Sequence, residues 1–199
     1  EAEKSYKKAI MLKPDFAEAH YNLGVTLQKL NKLEEAEVYY KKAIEIKKDF
    51  DVAYNNLGNI QKNLSRLEEA EENYRKAIEA KPEYAEAHTN LGNTLKDLGK
   101  LEDSELSQKK AIELRPNFIE GHYNLGVLLQ KLNKTSEAEL SYKKAIELNP
   151  SYVDAHNNLG IMQGQLGKLN EAVTSFKKSI ELRPDYAEAH ANLGNTLKD

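Results

Sequence analysis

The stretch His20-Tyr21-Asn22-Leu23-Gly24 decides the fold, because its last three residues return every 34 residues. The block N-L-G occurs at residues 22–24, 56–58, 90–92, 124–126, 158–160 and 192–194. A fixed period of this size is typical of a solenoid, in which one supersecondary unit is repeated and stacked. The leucine and the glycine fit helix packing. An uncharged amide in every repeat adds nothing to an apolar core and needs a different explanation.

Prolines mark one position of the repeat, and each of them ends a helix-type pattern. They are Pro14, Pro82, Pro116, Pro150 and Pro184, with Lys48 at the remaining place in the series. Between two prolines lie two amphipathic segments joined by a short turn, for example residues 84–97 and 102–114, which predicts a helical hairpin. One hairpin cannot bury its own apolar face, so neighbouring hairpins must stack. We therefore predict an all-α solenoid.

The residues that recur in each 34-residue repeat resemble the tetratricopeptide repeat (TPR), and the resemblance covers the whole chain. In the repeat of residues 17–50 the matching positions are His20, Leu23, Gly24, Leu27, Ala36, Tyr40, Ala43 and Lys48. The chain departs from the pattern where histidine or Tyr54 replaces tryptophan, and where Ser104 and Gln108 replace a small residue and an aromatic one. The resemblance implies a right-handed superhelix. We expect the hairpin with Ser104 and Gln108 to be the softest internal point, because a buried amide costs free energy unless it is hydrogen-bonded.

The repeat register predicts one array without further domains. Its expected parts are a half-repeat at 1–16, complete repeats at 17–50, 51–84, 85–118, 119–152 and 153–186, and a half-repeat at 187–199. Apolar faces are expected to be exposed at both ends. Copies of the chain are therefore expected to be able to stack head to tail, with the last helix of one copy on the first helix of the next.

The composition argues against several classes of function. The formal net charge of −3 gives no basic field for nucleic acid or anionic lipid, and the absence of cysteine excludes disulfides and thiolate chemistry. No apolar run reaches the roughly 20 residues of a membrane span, and no signal-like segment opens the chain. We expect a cytoplasmic protein by default.

No constellation of residues predicts catalysis, a cofactor or a metal site, so we do not expect an enzyme. Histidines at equivalent positions of adjacent repeats lie about 10 Å apart, too far for one metal ion, and are expected to pack between helices. They are His20, His88, His122, His156 and His190. Paired basic residues on the second helices lie four residues from glutamates on either side, which predicts an ion-pair ladder on a solvated outer face.

The recurring asparagines are the best candidates for binding. By the resemblance they face the inner, concave wall of the superhelix, where an amide can pair with the main chain of an extended peptide through both its donor and its acceptor. A repeat spacing of about 10 Å matches roughly three residues of extended chain. The candidate peptide-binding residues are Asn22, Asn56, Asn90, Asn124, Asn158 and Asn192, with Asn59, Asn93 and Asn195 in the repeats that read N-L-G-N.

This asparagine pattern is similar to the TPR superhelix of O-linked N-acetylglucosamine transferase, which implies a substrate-selecting groove. A carboxylate clamp for acidic C-termini is disfavoured, because the matching inner positions hold tyrosine, asparagine and threonine among acidic neighbours. We expect an extended protein segment, neutral or partly basic, as the partner. Three alternatives stay open: asparagines that only fix repeat geometry, an array serving a transferase domain elsewhere, and a structural spacer whose groove stays empty.

Overall fold

A computed structural model describes residues 1–198, and within them the chain forms twelve α-helices and no strand. The predicted all-α solenoid of helical repeats is confirmed. Asp199, the last residue of the half-repeat expected at 187–199, lies outside the described residues. The helices are α1 (Ala2–Leu12), α2 (Ala17–Lys29), α3 (Leu33–Ile46), α4 (Asp51–Asn63), α5 (Leu67–Ala80), α6 (Ala85–Asp97), α7 (Leu101–Leu114), α8 (Ile119–Lys131), α9 (Thr135–Leu148), α10 (Val153–Gln165), α11 (Leu169–Leu182) and α12 (Ala187–Thr196).

The turn inside each hairpin is built around one residue in the left-handed backbone region. After α2 this residue is Asn31, with a φ of 58°, and after α4 it is Ser65, with a φ of 60°. The N–H of Lys32 donates to the carbonyl of Leu27 at 3.0 Å, which closes the end of α2. Gly99, Asn133 and Gly167 take the same place in the next three hairpins. The first helix therefore ends at a defined point, and the second helix folds back against it.

The two helices of a hairpin meet where an aromatic ring covers the glycine of the N-L-G block. A Cβ atom placed on Gly24 would lie 2.8 Å from Cε1 of Tyr40, closer than carbon atoms approach one another. Equivalent rings cover three other recurring glycines in the same way, namely Tyr74 on Gly58, Tyr142 on Gly126 and Phe176 on Gly160. The glycine thus makes room for a side chain of the second helix, which is a more specific role than the close helix approach that its size alone indicates.

The chain divides into two compact units, with the boundary inside α7. Unit 1 comprises Glu1–Ser107, and unit 2 begins at Gln108. The main apolar core of unit 1 contains Leu23, Leu27, Ala36, Tyr40, Leu57 and Ile60. The main core of unit 2 contains Leu125, Leu129, Ala138, Tyr142, Leu159 and Met162. Every member of the second core lies 102 residues, or three repeats, after a member of the first.

Ser104, which stands where the other complete repeats have alanine, is fully buried. Its hydroxyl donates to the carbonyl of Gly92 at 2.6 Å, so this polar substitution is satisfied inside unit 1. Gln108 is also buried, and it stands where the other complete repeats place the ring. The expected softness of this hairpin stays a prediction.

Candidate peptide-binding wall

The six recurring asparagines each lie on the first helix of a hairpin, or on α12, and all are half-buried. We call the surface they form within each unit, together with the residues that precede them in sequence, the asparagine wall. The preceding residues are Tyr21, Asn55 and Thr89 in unit 1, and Tyr123, Asn157 and Ala191 in unit 2. The side chains of this wall connect one hairpin to the next.

The second asparagine of each unit donates its amide to tyrosines of the hairpin before it. Nδ2 of Asn56 lies 3.1 Å from the hydroxyl of Tyr21 and 3.5 Å from that of Tyr40. In unit 2, Nδ2 of Asn158 lies 3.3 Å from the hydroxyl of Tyr123 and 3.5 Å from that of Tyr142. All four bonds use the amide nitrogen.

The third asparagine of each unit donates to another asparagine. Nδ2 of Asn90 lies 3.0 Å from Oδ1 of Asn55 and 3.1 Å from Oδ1 of Asn59. Nδ2 of Asn192 lies 3.1 Å from Oδ1 of Asn157. Four of the six recurring amides therefore help to hold consecutive hairpins together, which sequence periodicity alone does not reveal.

The first asparagine of each unit has no complete hairpin before it within that unit. Within its own unit, and among residues 1–198, the side-chain amide of Asn22 forms no hydrogen bond with protein, and neither does that of Asn124. Asn22 lines an open cleft of about 460 Å³ together with Tyr6, Val25 and Lys29. These two amides keep both donor and acceptor available.

The additional asparagines predicted from the N-L-G-N blocks have unlike environments. Oδ1 of Asn59 accepts a bond of 2.8 Å from the hydroxyl of Tyr74 as well as the bond from Asn90. Asn93 is half-buried, and Asn195 is exposed. The acceptor of Asn59 is therefore used inside the protein, and a binding role for these three residues stays a prediction.

Carboxylates lie close to the tyrosines of the wall. Burial raises the pKa of Tyr21; the hydrogen bond from Asn56 lowers it, and the charges of Glu86 and Asp51 raise it. Burial likewise raises the pKa of Tyr123, the charges of Asp154 and Glu188 add to this, and the bond from Asn158 opposes it. Asp51 is paired with Lys81 at 4.0 Å and Asp154 with Arg183 at 3.4 Å, so Glu86 and Glu188 are the carboxylates near these tyrosines that no ion pair within the described residues neutralises.

The histidines hold the turn between repeats. Nε2 of His20 lies 2.9 Å from the carbonyl oxygen of Pro14, and since a carbonyl only accepts, the ring nitrogen donates. The other four histidines bond the proline carbonyl six residues earlier at 2.9–3.0 Å. In the one repeat with Tyr54 in place of histidine, the residue six positions earlier is Lys48 rather than proline. The histidine and the proline are thus absent from the same repeat, and this joint absence is a sequence signal for the bond between them. Among the described residues, no group of three or more potential ligands could hold a metal ion.

Comparison with known families agrees with this architecture. A family model described as a TPR repeat matches residues 1–31, 62–99 and 162–199, which together are more than half of the chain. The chain belongs to the tetratricopeptide repeat family. Further tetratricopeptide repeat models match residues 17–50 and 119–152, residues 39–72 and 141–174, and residues 85–118. The first two of these models match twice, each time at an interval of 102 residues.

Solved structures of other proteins resemble this chain. YrrB, a TPR protein with an unusual peptide-binding site, is 27% identical over 94% of this chain and 96% of its own, with a TM-score of 0.84. MamA is 22% identical over 83% of this chain and 97% of its own, with a TM-score of 0.78. MamA 41-end from Desulfovibrio magneticus RS-1 is 20% identical over 86% of this chain and 97% of its own, with a TM-score of 0.78. The MamA likenesses concern the fold alone, and no curated protein matches the sequence.

The predicted ion-pair ladder of this TPR array forms, but with a different geometry. Glu139 is 4% exposed rather than solvated. Its two oxygens each lie 2.7 Å from a lysine, Lys143 four residues on and Lys168 in the turn of the next hairpin. Glu37 binds Lys41 and Arg66 in the same way, and Glu71 binds Arg75 and Lys100. These glutamates therefore join hairpins within each unit, which the i,i+4 pattern does not reveal.

The outer glutamates of the ladder choose other partners than expected. Glu45 binds Lys42, three residues earlier, rather than Lys41, and Glu147 binds Lys144 in the same way. Both glutamates are well exposed, so these pairs contribute little to stability.

Among the described residues, no helix has both the length and the apolar character that a transmembrane span requires.

Proposed function

We propose that this TPR array is a non-catalytic scaffold that binds an extended segment of a partner protein along its asparagine wall. The observation that carries the proposal is the pair of amides on Asn22 and Asn124, which form no bond to protein within their own units. A primary amide can donate to a peptide carbonyl and accept from a peptide N–H together, so it holds a main chain without reading side chains. The peptide-binding site of YrrB supports a binding role for an array of this kind.

The segment that fits best is neutral or basic. Glu86 lies near Tyr21 and Glu188 lies near Tyr123, so a lysine or arginine of the segment gains from these two charges, whereas Asp51 and Asp154 are already paired with Lys81 and Arg183. An acidic segment would be repelled. This charge preference keeps the array distinct from TPR domains that clamp acidic C-termini.

The test begins with a phage-displayed library of random peptides, each about 12 residues long, selected on the purified chain. The selected peptides are synthesised, and their affinity is measured by fluorescence anisotropy for three proteins. These are the wild type, the double variant Asn22→Ala/Asn124→Ala, and the control Lys144→Ala on the outer surface. We expect the double variant to lose about tenfold or more, because a lost hydrogen bond of about 1.4 kcal/mol changes the dissociation constant tenfold. Equal affinity for all three proteins would reject the wall as the binding surface.

Head-to-tail stacking is a second proposal, favoured by unlike environments of equivalent glycines. A Cβ placed on Gly194 of α12 meets nothing within 4 Å, whereas the equivalent Gly160 is covered by Phe176. Tyr6 of α1 stands at the register of the covering rings and is only half-buried. We propose that Tyr6 of one copy covers Gly194 of another. Light scattering should show concentration-dependent association that Gly194→Val abolishes; a monomer at every concentration would contradict it.

A further inference from the structure

The asparagine wall has a longer period than the hairpin. Tyr21, Asn55 and Asn56 in unit 1 return 102 residues later as Tyr123, Asn157 and Asn158 in unit 2. Asn22 returns as Asn124, and Glu86 returns as Glu188. Neighbouring repeats of the same unit do not share this set, because the residue before the recurring asparagine changes from tyrosine to asparagine to threonine.

The contacts recur together with the residues. The hydroxyl of Tyr40 donates to Gln28 at 2.7 Å in unit 1, and that of Tyr142 donates to Gln130 at 3.1 Å in unit 2. The ring of Tyr21 lies 5.1 Å from that of Phe50, and the ring of Tyr123 lies 4.8 Å from that of Tyr152. The asparagine-to-tyrosine and asparagine-to-asparagine bonds agree within 0.2 Å between the units.

The wall of unit 1 is interrupted at its third hairpin. Thr89 stands where a tyrosine or an asparagine would extend the pattern, and its hydroxyl donates to the carbonyl of Ala85 in its own helix at 3.0 Å. Ala191 stands at the equivalent place in unit 2. The wall is therefore two copies of one arrangement rather than one uniform ladder of six amides.

We infer that the chain carries two equivalent peptide sites, one in each unit, and that its partner presents the same short basic segment twice. This inference rests on the proposed function. Site 1 is Tyr21, Asn22, Asn56 and Glu86, and site 2 is Tyr123, Asn124, Asn158 and Glu188. The four residues are the same in both sites, although Asn55 donates to Glu86 in unit 1 whereas the equivalent Asn157 donates to Asn158 in unit 2. A protein with one copy of the segment occupies one site at a time. A protein with two copies binds both at once, which raises its overall affinity through effective concentration.

Titration calorimetry with one library-selected peptide tests the duplication. We expect two equivalent peptides per wild-type chain, and in either Asn22→Ala or Asn124→Ala two unequal sites, one unchanged in affinity and one weakened about tenfold. One peptide per wild-type chain would overturn the duplication and leave the proposed function standing. Failure to find any peptide whose binding depends on Asn22 or Asn124 would overturn both. Unchanged melting temperatures confirm that the variants fold.

A tandem peptide, two copies joined by Gly/Ser linkers of increasing length, tests the bivalent partner. We expect one tandem peptide per chain, with an affinity about 10²-fold or more above that of the single copy at the best linker length. The gain should fall about tenfold in Asn124→Ala, because its second site then binds about tenfold more weakly. A tandem peptide that binds no tighter than the single copy at every linker length would contradict the bivalent partner.

Discussion

The ring of Tyr40 occupies the space that any side chain at Gly24 would need, since a Cβ there would lie 2.8 Å from the ring. Gly24→Ala is therefore expected to destabilise the array by about 1–3 kcal/mol, because the buried ring must move in a close-packed core. Gly164 is the matched control, as a Cβ there meets nothing within 4 Å. Gly164→Ala should gain up to about 1 kcal/mol from helix propensity. Urea denaturation measures the free energy of unfolding of both variants. Equal losses of stability would show that the displaced ring is not the cause of the destabilisation.

The turn residue Ser65 adopts a φ of 60°, which costs free energy for a residue with a Cβ. Ser65→Gly should raise the free energy of unfolding by about 0.5–1 kcal/mol, because glycine adopts this conformation without strain. The reverse change at the equivalent turn, Gly99→Ser, should lower it by a similar amount. Thermal denaturation measures both. A loss of stability in Ser65→Gly would mean that the serine side chain does more for the turn than its strain costs.

Helix α7 is expected to exchange its amide hydrogens faster than α5 or α9. Gln108 is buried where the other complete repeats place an aromatic ring, and the boundary between the units falls beside it. An amide at this position contributes less apolar burial than a tyrosine would. Hydrogen exchange followed by mass spectrometry should show the difference, and Gln108→Tyr should reduce it. Uniformly slow exchange over residues 102–114 would refute this expectation.

The sequence was sufficient for the fold because period, proline position and glycine position all describe one hairpin. It was less informative for the site, because identical asparagines have different roles. The amide of Asn56 bonds Tyr21 while that of Asn90 bonds Asn55 and Asn59, and this depends on which side chain the preceding hairpin offers. The histidine bond to proline and the two-lysine bond of Glu139 also depend on contacts between hairpins. Such contacts follow from stacking geometry, which a 34-residue pattern does not specify.

Two asparagines of unit 1 should have different effects when they are replaced, Asn56 on stability and Asn22 on peptide affinity. Asn56→Ala removes the donor to Tyr21 and Tyr40, and is expected to cost about 1 kcal/mol of unfolding free energy. Asn22→Ala removes no bond within the unit, so its melting temperature should match the wild type while its peptide affinity falls. Calorimetric melting curves of the two variants make the comparison. Equal destabilisation would mean that Asn22 is also a structural residue.

Glu139 should make the array sensitive to acid. Burial raises the pKa of this carboxyl, but hydrogen bonds from Lys143 and Lys168, together with their charges, outweigh it and hold the pKa below the ordinary value. The unfolded chain therefore takes up the proton at a higher pH than the folded chain does. The stability that this group contributes is complete well above the ordinary glutamate pKa of about 4.3, and it is lost as the pH falls through the lower pKa of the folded state.

Denaturant unfolding at neutral pH and at about pH 3.5 tests this, since the second value lies below the ordinary glutamate pKa. Glu139→Gln should be less stable than the wild type at neutral pH, because the two lysines lose their shared partner, and it should lose less on acidification. Glu147→Gln is the control, since Glu147 is exposed and paired only with Lys144 among the described residues. It should follow the wild type at both pH values. If Glu139→Gln lost as much stability on acidification as the wild type, the acid response would have to come from the other paired carboxylates, such as Glu37 and Glu71.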